Sequence, residues 1–379
     1  MAATVSWQVL RDLAGFRAEK GCAISLYLNL DPSVSPTAGD AATRVNALID
    51  QAHKRFGASR SELTHDQKIA LKTDLDRVRR YFELDFERDG AHGLAVFAAA
   101  LDNFWRPIPL TAAVQDEVKI DETFYLTPLV PLVGRGEGAF VAFVGRERGD
   151  LYSLRAGRLA EVADHTEEAP GKHDQGGWSQ ARYQRHIENI VQSHLRDIAD
   201  ELDRQIRRRG GKIIVVSSEE TRSEFADLLS AEVKGAVIGW AQAEAHSSPA
   251  ELLSLVRPIL EKWRDQEESK ALERWQEEAG RNGRAAAGWS ETLEAASDGR
   301  VELLLYQYGM DRPAWCCPAC GRLALEAGKC PLDGTELESR SDGLDLAIHQ
   351  TLAHGGTAWA VLSRHDLERV EGIAALLRY

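Results

Sequence analysis

No apolar run in the 379-residue chain approaches the ~20 residues that a membrane-spanning helix needs. Its opening, M-A-A-T-V-S-W-Q, lacks the basic-then-apolar pattern of an export signal. Cysteine is scarce as well: five residues, four of them clustered at Cys316, Cys317, Cys320 and Cys330. That distribution argues against a disulfide scaffold and for a reduced compartment with one local metal site. Positive charge is in deficit, with a formal net charge of −13, which excludes broad electrostatic attraction to nucleic acid. Residues 1–133 show no metal-ligand or nucleophile spacing, and their His and Cys residues stand alone. These absences predict a cytoplasmic protein with no membrane partner. What remains, 44% hydrophobic and 28% charged residues, is the composition of a soluble globular chain.

The length suggests two or three domains, each able to bury a core. Residues 1–133 read as one α/β domain, with a helix over 5–20, an alternating strand at 22–30 stopped by Asp31-Pro32, and helical patterns at 40–56 and 60–85. Strands follow at 93–100 and 104–110. The apolar segment Thr123–Val133 holds Pro128 and Pro131 and reads as an edge element or connector. Residues 137–265 open with a meander of three short alternating segments, 139–146, 149–155 and 158–164. A continuous apolar strand, Lys212–Ser218, has the pattern of one buried on both faces. A helix at 222–231, a short strand at 236–240 and a helix from 248 complete that domain. Residues 266–282 form a charged helical connector. The last domain, 283–379, has a helix over 285–297, a strand over 301–306, an insertion at 312–339, a helix over 343–353 and strands at 358–362 and 373–377.

The stretch from His173 to Arg209 changes character sharply. A polar loop with Gly176 and Gly177 gives way at Gln180 to apolar residues at 187, 190, 191, 195, 198, 202 and 206, the stripe of an amphipathic helix. Ser179 is placed to cap its first turn. A glycine pair at the head of a long helix offers bare N–H groups at the positive end of a dipole, fit for a phosphate or an oxyanion. It is equally an ordinary loop before an ordinary helix. Between Lys172 and Lys212 there are nine Lys/Arg against six Asp/Glu. Arg207, Arg208 and Arg209 end the helix, where they either meet phosphates or complement the helix dipole. His173 and His186 are candidates for titration near neutrality, or idle surface residues.

Within the insertion, C-C-P-A-C-G-R at 316–322 and C-P-L-D-G at 330–334 are two turns of zinc-knuckle type. Cys317, Cys320, Cys330 and Asp333 are the candidate ligands, with Asp333 where a fourth cysteine would stand and Cys316 a spare thiolate. A structural zinc is expected, and no catalytic cofactor.

Taken together, these pieces resemble the archaeal/eukaryotic class-one peptide chain release factor superfamily, and specifically its bacterial relatives. That family carries a Gly-Gly-Gln loop before a long basic helix, where this chain has Gly176-Gly177-Trp178-Ser179-Gln180-Ala181-Arg182-Tyr183. Archaeal members insert a zinc ribbon in the third domain, matching the cysteine block. The terminal Gly372-Ile-Ala-Ala-Leu-Leu-Arg-Tyr379 is similar to the family's last strand. The motif departs from the family by two inserted residues, giving Gly177-x-x-Gln180, a form similar to the peptidyl-tRNA-releasing proteins of eukaryotic ribosome quality control. The stop-codon motifs Asn-Ile-Lys-Ser and Tyr-x-Cys-x-x-x-Phe are absent from residues 1–133.

The resemblance implies a three-domain release-factor-like α/β architecture and a monomer acting on the large ribosomal subunit. It implies hydrolysis of peptidyl-tRNA on stalled ribosomes without stop-codon reading. Gln180 would orient the water and Gly176 and Gly177 would let the loop enter the catalytic centre. Trp178, Ser179, Arg182, Arg185 and Arg207–Arg209 would touch RNA, with Trp178 stacking on a base or packing on its own domain. A translational GTPase is an implied delivery partner. Two variants stay open: cleavage of the tRNA acceptor end, and non-catalytic occupation of the ribosomal A site during dormancy. A cytosolic RNA-binding module with no ribosomal role is a third reading.

Overall fold

The computed structural model describes residues 5–58, 64–88, 90–133, 139–155, 158–164, 178–243 and 247–379, and for residues 55–58, 155, 178–187 and 209 the backbone alone. The chain divides into two compact units, Met1–Gly134 with Asp265–Tyr379, and Arg135–Arg264. Both are α/β.

The first unit holds two four-stranded sheets. One has the order Phe104–Leu110, Gly93–Ala99, Ala23–Asn29, Glu117–Asp121 and is antiparallel throughout. Strand alternation sends successive side chains to opposite faces, and here both faces are buried. Ile24, Leu26, Leu28, Leu94, Val96 and Ala98 pack under the helices Ala38–Ala58 and His65–Arg80. Tyr27, Ala95, Phe97, Ile108 and Leu110 join a core with Trp289, Leu293, Leu304, Tyr306, Ile348 and Ile373. Residues near the two ends of the chain therefore share one hydrophobic interior. The second sheet runs Ala285–Ala287, Ile373–Leu377, Val301–Gln307, Thr357–Val361, with one parallel pair. Its other face is covered by Leu272 and Trp275 of the helix Pro249–Gly280.

A buried carboxylate ties these parts together. Asp345 opens the helix Gly343–Ala353, and its Oδ1 accepts from Leu126 N at 2.7 Å, Thr127 N at 2.8 Å and Thr127 Oγ1 at 2.8 Å. These donors head the 3₁₀ turn Thr127–Leu132, whose orphan N–H groups need an acceptor. One helical turn on, His349 Nε2 lies 2.7 Å from the Phe124 carbonyl and 3.5 Å from Asp345 Oδ2. Burial pushes the Asp345 carboxyl above the usual carboxylate range, opposed by the neighbouring imidazole and the Leu126 and Thr127 donors.

The second unit is a five-stranded sheet in the order Arg158–Asp164, Gly149–Arg155, Phe140–Val144, Ile213–Ser217, Val237–Ala241. Its first two pairings are antiparallel and its last two parallel. The long helix Trp178–Arg209 covers one face through Val191, Leu195, Ile198, Leu202 and Ile206. Leu252, Val256 and Leu260 of the helix Pro249–Gly280 cover the other. Ile213–Ser217 is buried along its whole length, which explains its unbroken apolar sequence.

Several local expectations need correction. The first helix is shorter than 5–20, running Trp7–Ala14 from a Ser6 cap to Gly15. Glu117–Asp121 is an unexpected strand, hidden in sequence by its alternating charges at a half-buried sheet edge. Of the two readings of Thr123–Val133, edge element or connector, the second holds: the segment contains the buried 3₁₀ turn, which tolerates Pro128 near its start. Ala285–Ala287 is a strand rather than helix, since pairing with Ile373–Leu377 overrides alanine's propensity. Among the described residues, no helix is long and apolar enough to cross a membrane.

Replacing Asp345 with Ala orphans two buried N–H groups and should lower unfolding stability by roughly 1–3 kcal/mol per orphaned group. Asn, which keeps an acceptor oxygen, should cost less. Urea unfolding followed by tryptophan fluorescence measures both; an unchanged Ala midpoint would show that the carboxylate does not tie the unit.

Candidate functional site

The insertion in the first unit is a small three-stranded sheet, ordered Leu323–Ala324, Ala314–Cys316, Glu338–Arg340. Its two cysteine-bearing turns have the same hydrogen-bond pattern. In the first, Cys317 N donates to Arg322 O at 2.8 Å and Gly321 N to Cys317 O at 2.8 Å. In the second, Cys330 N donates to Thr335 O at 2.8 Å and Gly334 N to Cys330 O at 2.9 Å. Gly321 and Gly334 take φ of 76° and 75°, a left-handed conformation that a side chain would strain. The sequence Cys-x-x-Asp-Gly thus folds into the same turn as Cys-x-x-Cys-Gly.

The turns face each other, so the metal-binding atoms of Cys317, Cys320, Cys330 and Asp333 all lie within 4.8 Å of one another. Cys317 Sγ is 3.5 Å from Asp333 Oδ2, and Cys320 Sγ is 3.5 Å from Cys330 Sγ. The Thr335 amide and hydroxyl hold the Asp333 carboxyl well below the usual carboxylate range. At Cys320 the Arg322 N–H pulls the thiol down, but desolvation and the adjoining Cys330, Cys317 and Asp333 outweigh it, pushing the thiol up to about 12. At Cys330 desolvation acts upward, yet the Leu332 and Asp333 N–H groups and the Cys320 and Cys317 thiols bring it below the ordinary value. Four acidic groups in so small a volume compete for protons, and a divalent cation relieves the competition by replacing them. Three sulfurs and one oxygen in two chelating turns fit zinc in a closed, structural site. Cys316 is outside this set: its thiol points to the Cys317 carbonyl at 3.7 Å, and burial pushes it up.

The first turn is bolted to the layer beneath it. Gln350 Nε2 donates to Gly321 O at 2.8 Å, Arg322 pairs with Asp298 at 2.7 Å, and Leu323 N donates to Ser297 Oγ at 2.8 Å. Arg340 pairs with Asp121 across to the antiparallel sheet. At the second turn Leu332 stays 70% exposed, so that side of the ribbon faces solvent.

In the second unit, Gly176 and Gly177 lie outside the described residues, as do the side chains of Trp178, Ser179, Gln180, Arg182, Arg185 and Arg209. The helix begins at Trp178, which sets Ser179 in its first turn rather than at its cap, a displacement of the kind helix ends show. Arg207 pairs with Asp203 at 2.6 Å and with Glu232 at 3.5 Å, both in its own unit. Arg208 is exposed. Gly210, at φ 63°, closes the helix by donating to Ile206 O at 2.8 Å. A polar network escaped sequence reasoning: Asp150 is buried between Arg148, at 2.6 Å, and the Tyr152 hydroxyl, at 3.0 Å. Its signal is the alternation Arg-x-Asp-x-Tyr, which sets three polar groups on one face of a strand.

Residues 125–261 match the bacterial archaeo-eukaryotic release factor family 10. The chain is similar to the peptide chain release factor subunit 1 of Archaeoglobus fulgidus, 22% identical over 98% of this chain and 96% of the relative. The subunit 1 protein of Methanobrevibacter smithii is 25% identical over the same shares of the two chains. Among solved structures, Archaeoglobus fulgidus Pelota matches 76% of this chain and 79% of its own at 16% identity and a TM-score of 0.34. The chain is thus similar to bacterial archaeo-eukaryotic release factors, with the family match falling chiefly on the second unit.

Replacing Cys317 and Cys320 together by Ser should reduce bound zinc from about one equivalent per chain to near zero while the α/β layers stay folded. Elemental analysis beside circular dichroism reads both. Wild-type protein free of zinc would mean that the ribbon is held by packing alone.

Proposed function

We propose that the protein is a ribosome-associated, release-factor-like peptidyl-tRNA hydrolase that frees nascent peptide from stalled ribosomes or large subunits without reading a stop codon. The observation that carries this reading is the similarity to peptide chain release factor subunit 1 over 98% of the chain, with the Gly177-x-x-Gln180 loop inside the segment matched by the release factor family.

The reaction is attack of water on the ester between peptide and terminal ribose. It calls for an aligned water and donors aimed at the developing oxyanion, and a titrating protein base is not required. Helix geometry supports such a role for Gln180. The first four N–H groups of an α-helix have no intrahelical acceptor, and the helix starts at Trp178. The Gln180 amide is the third of those groups, at the positive end of a 32-residue helix. Its side chain can both accept from and donate to a water without changing charge. Gly176 and Gly177 would let the backbone approach the ribosomal catalytic centre closely. Arg182 and Arg185, one turn along, would meet RNA phosphates. Trp178 and Ser179 would border the same contact, with Arg207, Arg208 and Arg209 at the far end of the helix. Positioning supplies most of the rate, so the free protein should be nearly inactive. A translational GTPase is the delivery partner this reading favours.

One observation favours a second reading. Trp178 and Ser179 begin a regular helix where the family motif runs directly into its glutamine. A helical start suits a plug as well as a catalyst, and a non-catalytic A-site occupant in dormancy is the alternative.

Release of labelled peptide from stalled 70S and isolated 50S peptidyl-tRNA complexes, with the tRNA resolved on a gel, separates the readings. Release with intact tRNA supports hydrolysis. A shortened tRNA identifies an acceptor-end nuclease, and tight binding without release identifies the occluding factor. Gln180→Ala keeps the backbone N–H but removes the side chain that orients the water, and should lower release by about 10²-fold, the cost of a misplaced reactant, with ribosome binding intact. Release at the wild-type rate would remove Gln180 from the mechanism.

A further inference from the structure

We propose that the ribbon cluster is a redox clasp in which a peroxide joins Cys320 to Cys330 and thereby ejects the metal. The inference rests on the metal reading of the cluster and is independent of what the second unit does on the ribosome.

The cluster consists of two contacting pairs, each bridging the two turns. Cys320 Sγ lies 3.5 Å from Cys330 Sγ, while Cys317 Sγ lies 3.5 Å from Asp333 Oδ2. Cys320 is exposed, whereas Cys317 and Cys330 are 1% and 2% exposed. An oxidant from solution therefore meets Cys320 first. The sulfur that can resolve the oxidised Cys320 is Cys330, already in van der Waals contact across the gap. Closing 3.5 Å to a disulfide of ~2.05 Å requires a shift that rotation of the exposed Cys320 side chain can supply.

The chemistry balances without a cofactor. Bound to the metal, Cys320 would be held as a thiolate, which attacks one peroxide oxygen; the O–O bond breaks, and the departing oxygen leaves as water after taking a proton. The resulting sulfenic acid is attacked by the Cys330 thiolate, the S–O bond breaks, and a second water leaves with another proton. Two thiolates lose two electrons in all, and the peroxide gains them.

Asp333 gives the step its consequence. In a four-thiolate ribbon, loss of one pair would leave two sulfurs. Here it leaves one sulfur and one carboxylate, Cys317 and Asp333, too few and too hard a set to keep tetrahedral zinc. The new bond still ties turn to turn, as the metal did. The first turn also keeps its contacts to Gln350, Asp298 and Ser297. Oxidation should thus exchange one cross-link for another and leave the layers beneath intact.

The test uses the full-length protein as isolated, treated with hydrogen peroxide. Zinc release is followed with a chromogenic chelator, and linkages by peptide mapping with and without dithiothreitol. The expected result is one zinc released per Cys320–Cys330 disulfide, reversal by dithiothreitol plus zinc, and an unchanged far-ultraviolet spectrum. Cys316→Ser should release zinc at the wild-type rate, because that thiol stands outside the cluster. Zinc retained under peroxide, a predominant disulfide through Cys316 or Cys317, or sulfinic acid at Cys320 without a disulfide would each overturn the proposal. Protein isolated without zinc would sink the metal half of the idea, while its linkage map still reports whether Cys320 and Cys330 pair.

Discussion

A single buried carboxylate sets the terms for the first unit. Asp345 is sequestered from water, and its Oδ1 has three donors from a segment that precedes it by 218 or 219 residues. A carboxyl group in an apolar interior is costly unless hydrogen-bonded, so the 3₁₀ turn Thr127–Leu132 and the helix Gly343–Ala353 are obligate partners. That docking works alongside the apolar core that the two halves of the unit share. It brings the Tyr27–Phe97 face of one sheet against the helices of the other. It sets His349 against the Phe124 carbonyl, and it leaves the ribbon beside Asp121, where Arg340 can reach.

The ribbon shows how a Cys-x-x-Asp-Gly turn can keep the shape of a Cys-x-x-Cys-Gly turn. The backbone turn is fixed by a glycine in the left-handed region and two N–H···O bonds, none of which involves the fourth ligand's side chain. Asp333 therefore sits where a cysteine would, and Thr335 holds its carboxylate ready through an N–H bond of 2.9 Å. Ligand identity tunes hardness and redox behaviour, while the scaffold decides position.

Legibility in the sequence follows the range of the forces involved. Alternation revealed the strand at 23–29, and unbroken apolar runs those at 93–99 and 213–217, each paired on both sides. Helical periodicity revealed Trp178–Arg209 because its apolar stripe is the face that packs on the sheet. The four candidate ligands that the structure brings together were readable because chelating turns are local. Glu117–Asp121 was not, because an edge strand needs no apolar run. Nor was the Thr127–Leu132 turn, whose burial depends on Asp345 from far along the chain. Ile69 belongs to a helical pattern by spacing, yet it is 53% exposed, since periodicity marks a face but not its limits. At the head of the long helix, sequence spacing still carries the argument for Gln180.

The discontinuity of the first unit has a consequence for how the chain is made. One face of the first sheet, with Tyr27, Phe97, Ile108 and Leu110, is covered early by Leu10, Leu13, Phe124 and Leu129 but gains the rest of its cover from residues 286 onward. The last of that cover is the strand Ile373–Leu377. At roughly 5–20 residues per second on the ribosome, a part-covered apolar sheet face waits on the order of ten seconds or more for its counterpart. The intervening unit can complete its own sheet in that time. The protein thus passes through a long window as a sticky half-domain, open to chaperones and to pairing with the wrong surface. A ribosome that halts late in this message would strand a nascent chain in that unfinished state.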